Sequence, residues 1–96
     1  MTLAEFQSTL KDATPPHLPP LLHALWKDAK GDWEAAHDIA QDVGDADAAW
    51  VHAYLHRKEG DLSNARYWYR QAGQEPASDA LESEWARIVA ALLNRP

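Results

Sequence analysis

The chain contains no cysteine. Disulfides and thiolate metal sites are thereby excluded, and a reducing compartment is compatible. Positive charge is scarce: Lys+Arg 9 against Asp+Glu 15, a formal net charge of -6. A general nucleic-acid binder needs a basic face to displace counterions, so that class is disfavoured. No run approaches the ~20 apolar residues of a membrane span. The opening MTLAEFQSTL lacks the basic segment and apolar run of a secretion signal. The expectation is a soluble cytoplasmic protein with neither membrane nor nucleic acid as partner. No serine stands in a nucleophile-elbow motif, and no glycine-rich phosphate loop exists. No catalytic residue is therefore assigned, and no cofactor is expected.

What the chain does have is helical spacing. Its 96 residues are 46% hydrophobic, with Trp 5, and apolar positions recur at three- and four-residue intervals nearly throughout. No segment alternates like a strand. Six helices can be drawn. The first runs from about Leu3 to Asp12, capped by Thr2 with Glu5 as reciprocal partner. The prolines of TPPHLPP then impose an extended connector over Thr14 to Leu18. Pro19 and Pro20 suit the first turn of a second helix reaching about Lys30, with Leu21, Leu22, Leu25 and Ala29 inward. Gly31 stops it, Asp32 caps the third helix, and Gly44 ends that one. Helix four spans about Ala46 to Glu59 and is apolar on two sides, as a helix between neighbours is. Gly60 and Asp61 repeat the stop and cap before helix five. Ser78 or Asp79 starts helix six.

Aligning His23–Gly44 with His52–Gly73, an offset of 29, gives six identical pairs in 22. They are His23/His52, Ala24/Ala53, Gly31/Gly60, Asp32/Asp61, Ala36/Ala65 and Gly44/Gly73. Each unit reads helix, Gly-Asp turn, helix, terminal glycine. GDWEAA from Gly31 and GDLSNA from Gly60 resemble the turns of tetratricopeptide-type and Sel1-type repeats. The offset is shorter than the ~34 residues of the tetratricopeptide family. The inward tyrosine of that family is replaced here by Lys27 and His56. The resemblance covers about Leu22 to Gly73 and implies a partner-binding scaffold. The string HAYLHRKEGDLSNARYWYRQAG also resembles segments of uncharacterised small microbial proteins.

The expected fold is all-α: about six antiparallel helices in stacked hairpins, a short tetratricopeptide-like solenoid and a single domain. Residues 1–18 form a capping helix and connector, 19–44 and 45–74 two hairpins, and 78–94 a second capping helix. The expected core is Phe6, Leu10, Leu22, Leu25, Trp33, Ala36, Ala40, Trp50, Ala53, Leu62, Ala65, Tyr69, Trp85 and Ile88.

Two constellations compete for function. In RYWYRQ, Tyr67, Trp68 and Tyr69 cannot all pack on one side of a helix. Aromatic and arginine side chains are enriched at binding hot spots. Arg66, Tyr67, Trp68 and Arg70 are therefore the expected partner-binding face, for a protein, a peptide or a second copy in a homodimer. The groove between helices two and four is an alternative seat. The leading function is thus a small protein-interaction module. The second constellation is His52, His56, Arg57, Glu59 and Asn64. The two histidines, four residues apart, share one helical face at ~6 Å, a spacing that chelates imidazole-binding metals. A third ligand would come from Glu59, Asp61 or His37. The alternative function is a metal- or small-anion-binding protein, or a minor enzyme, at that cluster.

Overall fold

The computed structural model describes residues 1–95. Among them are six α-helices and no strand. Helix α1 (Leu3–Ser8) carries the reciprocal cap: Thr2 N–H donates to Glu5 Oε1 at 2.8 Å and Glu5 N–H to Thr2 Oγ1 at 3.1 Å. It tightens into a 3-10 turn at Thr9–Lys11. Lys30 clamps that turn, its Nζ donating to the carbonyls of Leu10 at 2.6 Å and Asp12 at 2.9 Å. The remaining helices are α2 (Pro20–Ala29), α3 (Trp33–Gln41), α4 (Ala46–Glu59), α5 (Leu62–Ala72) and α6 (Leu81–Leu93).

The two Gly-Asp turns are the same device used twice. Gly31 and Gly60 both stand at φ 90, in the left-handed region that suits glycine. Gly31 N–H donates to Asp28 O and Asp32 N–H to Lys27 O, both at 2.9 Å. Twenty-nine residues on, Gly60 N–H donates to Arg57 O at 3.1 Å and Asp61 N–H to His56 O at 2.9 Å. Asp32 and Asp61 then cap α3 and α5. The equivalence ends at Gly44. Gly73 is left-handed at φ 69 but Gly44 is not, because α3 closes earlier, at Gln41. Asp42 N–H and Val43 N–H turn back onto Ile39 O and Ala40 O, and Asp45 caps α4 straight afterwards.

Helix α4 is the centre. Nine consecutive residues, Ala48 to His56, are buried, and α2, α3, α5 and α6 all pack against it. The pairs α2–α3 and α4–α5 are hairpins, and α6 lies across α1, α2 and α4. The body measures 34 × 27 × 27 Å. No helix of the described residues is long and apolar enough to cross a membrane.

Eleven of the fourteen expected core residues are buried. Leu10 and Trp33 are half-buried. Leu62 is 56% exposed; it opens α5, which packs on α4 and has no further layer over its outer side. Ala29, expected inward, is exposed. Trp26, absent from the expected core, is 2% exposed, and its Nε1–H donates to Thr9 Oγ1 at 3.1 Å. Helix six starts at Leu81, not at Ser78 or Asp79, and without a side-chain cap. Asp79 is diverted: its carboxylate accepts from Arg87 at 2.7 Å.

Two buried carboxylates bind the helices together. Asp28 of α2, 2% exposed, accepts from Tyr54 Oη and Lys58 Nζ of α4, both at 2.9 Å. Glu84 of α6, 0% exposed, accepts from Arg57 of α4 at 2.8 Å and Tyr69 Oη of α5 at 2.5 Å. Burial, with the neighbouring carboxylate adding to it, pushes both phenols above their usual range.

Candidate functional site

Three pairs of residues spaced i, i+4 come from three helices: Trp33 and His37 on α3, His52 and His56 on α4, Asn64 and Trp68 on α5. That spacing puts each pair on one helical face. Helices α3 and α5 both pack against α4, and the three pairs meet in two tiers. The upper tier is Trp33, His56 and Asn64. Trp33 meets the His56 ring edge-on at 6.1 Å, and Asn64 Nδ2 lies 3.5 Å from His56 Nε2. The lower tier is His37, His52 and Trp68. His37 meets His52 edge-on at 4.8 Å, and Trp68 stacks on His52 at 4.2 Å, 13° from parallel.

Across the tiers, His37 stands 5.2 Å from His56 and the two α4 rings lie 5.7 Å apart. One nitrogen from each of His37, His52 and His56 falls within 4.8 Å of the other two. Trp33 closes the outside by stacking on His37 at 4.9 Å. Its Nε1–H is satisfied by Leu55 O at 2.8 Å, which holds the indole in place.

The three imidazoles are not equivalent. His56 is 7% exposed, and its Nδ1–H donates to Glu59 Oε1 at 2.7 Å. In the neutral ring that bond leaves the lone pair on Nε2. His52 is 5% exposed and its Nδ1 has no hydrogen-bond partner. Burial, then the proximity of His37 and His56, lowers its pKa to about 4. His52 is thus held neutral with a lone pair free, the state in which imidazole binds a metal. His37, half-buried, is the ring nearest solvent.

The sequence-derived cluster is partly assembled. His52, His56, Glu59 and Asn64 come together; His37 joins the two α4 histidines, while Glu59 and Asp61 form a second, more exposed group with His56, its ligand atoms also within 4.8 Å of one another, and the Asp61 carboxylate accepts Asn64 N–H at 3.2 Å as the α5 cap. Arg57 is not in it. It follows His56 by one residue, about 100° around the helix, and points to Glu84. Trp68, expected on a partner face, is half-buried and stacks on His52 of the triad. Tyr67 stays 50% exposed, edge-on to Trp68 at 5.1 Å, and Arg66 and Arg70 are exposed on the same helix. The tryptophan walls escaped the sequence reading, although Trp33 four before His37 was a visible signal. His23 has a buried, unpartnered Nε2 where its repeat counterpart His52 has an unpartnered Nδ1, yet it lies outside the triad.

Comparison with protein-family profiles, with curated proteins and with solved structures returned no match.

Proposed function

We propose that this protein binds a divalent transition-metal ion through His37, His52 and His56. The observation that carries the reading is the convergence of three imidazole nitrogens, from two helices, within 4.8 Å. A tetrahedral ion ~2.0–2.1 Å from each nitrogen needs them about 3.3 Å apart, so uptake requires the rings to turn inward. Glu59 on His56 Nδ1 supports it, because a carboxylate behind a ligating imidazole fixes its tautomer and raises its basicity. An all-imidazole set favours zinc, copper or nickel over magnesium or calcium, which prefer oxygen.

Untagged protein stripped with chelator is expected to take up one Zn²⁺ per chain in calorimetric titration. His52→Ala should abolish uptake. Glu59→Gln should weaken it about 10–100-fold. A wild-type chain that takes up no zinc, nickel or copper ends the proposal.

A second reading rests on a different observation. Besides Met1, the exposed large hydrophobic residues are Leu62 and Tyr67, both on α5. This face, with Arg66 and Arg70, suits a second copy of the chain, and the tetratricopeptide-like and Sel1-like sequence of the Gly-Asp units supports a scaffold role. Sedimentation velocity over a concentration series should then reveal a dimer that Leu62→Ser, Tyr67→Ser disperses. A monomer at every concentration refutes it.

A further inference from the structure

The proposed ligand set is made of imidazole alone. Among the described residues, the nitrogens of His37, His52 and His56 form one group within 4.8 Å, and no carboxylate belongs to it. Glu59 and Asp61 make their own group with His56, and Glu59 Oε1 is engaged by His56 Nδ1 at 2.7 Å. His52 and His56 are only 5% and 7% exposed. An indole lies flat against each of two rings: Trp33 on His37 at 4.9 Å and Trp68 on His52 at 4.2 Å. The triad thus offers three neutral nitrogen donors in an apolar setting.

These features bear on the coordination number and the charge of the ion. Zinc in proteins is almost always four-coordinate, so here it needs a fourth ligand that the group does not contain. Copper(I) also has a filled d shell, but three donors in one plane satisfy it. Three nitrogens ~2.0 Å from an ion in their own plane stand about 3.5 Å apart, against about 3.3 Å around a tetrahedral ion. The trigonal ion asks for less inward movement of the rings. Charge acts in the same direction. The Born cost of burying an ion rises with the square of its charge, so a divalent ion costs about four times as much as a monovalent one. Burial already holds the His52 ring neutral, its pKa lowered to about 4, and no carboxylate in the group offsets a second charge. Imidazole suits copper as it suits zinc. We infer that the triad is a three-coordinate copper(I) site and binds that monovalent ion more tightly than zinc. The inference rests on the three-histidine reading above and adds the identity and charge of the preferred ion. Softer donors elsewhere offer little competition: the chain has no cysteine, and its one methionine, Met1, is exposed.

Anaerobic competition with the chromogenic chelator bicinchoninate, with ascorbate keeping copper reduced, is the test. Wild-type protein is expected to withdraw one copper(I) per chain from the chelator. Added to zinc-loaded protein, an equivalent of copper(I) should expel most of the zinc, read with a zinc-sensitive dye, as an affinity at least ~10-fold higher requires. X-ray absorption of the copper-loaded protein should show three nitrogen neighbours. His37→Ala removes a half-buried ligand and leaves both α4 histidines in place. It should weaken copper(I) binding at least ~10-fold, with helix content unchanged by circular dichroism. Zinc uptake without copper(I) withdrawal, or zinc retained against copper(I), overturns the inference and leaves the metal site standing. Wild-type affinity in His37→Ala, or a fourth neighbour in the absorption spectrum, overturns the three-coordinate site. Failure to take up any of these ions removes both readings.

Discussion

Replacing Arg57 by methionine should lower the free energy of unfolding by about 3–5 kcal/mol, the usual cost of removing one partner of a buried ion pair. Glu84 has 1% of its side chain exposed and Arg57 15%. Methionine fills much of the arginine stem's volume, so the loss reports charge more than packing. The Glu84 carboxylate would retain only Tyr69 as a side-chain donor. The double variant Arg57→Met, Glu84→Gln removes the stranded charge and is expected to recover at least ~1 kcal/mol, because a neutral amide costs less to bury than an unpaired carboxylate. Urea denaturation of the four proteins in the cycle measures both quantities. A loss below ~1 kcal/mol would place this bridge among ordinary surface pairs and remove the case for Glu84 as a structural anchor.

Acid should destabilise the protein, with His52 supplying a defined component of the loss. The folded ring has its pKa lowered from 6.5 to about 4 by burial first and by His37 and His56 second. Between those two values the unfolded chain binds a proton that the folded chain refuses. Stability from this group is therefore fully present above pH ~6.5 and declines as pH falls toward ~4, by about 3 kcal/mol in all. Below that window both states are protonated and the decline from this source stops. His52→Leu should abolish this component, so the gap between variant and wild type changes across the window. Denaturation midpoints at a series of pH values test it. Curves for the two proteins that fall in parallel would show that His52 does not carry the acid sensitivity.

The turns were legible in the sequence because their cause is local. A glycine that takes φ 90 and an aspartate that caps the next helix lie adjacent, and two copies occur 29 residues apart. Gly44 misled because composition cannot reveal that α3 stops at Gln41. The site was half legible. The i, i+4 spacing placed His52 and His56 together, but the choice among His37, Glu59 and Asp61 depends on how α3 lies against α4. Arg57 looked like part of the same cluster because it is next in the chain. Its partner, Glu84, is 27 residues away, beyond anything that local pattern encodes. The exposure of Leu62 was hidden for a related reason: a repeat pattern implies a further layer over α5, and none covers it here.

Helix α5 packs along α4 and reaches α6 through the Tyr69–Glu84 bond, while its other flank faces water. Regions with one packed side open in local, sub-global fluctuations before the centre of a protein does. Since α5 contributes Trp68 and Asn64 to the walls of the triad, each such opening would unroof the histidines while α3 and α4 keep them in place. At the proposed metal site, residence time would then be a property of a hinged door, set on the microsecond-to-second scale of local unfolding. Tyr69 is the latch on that door.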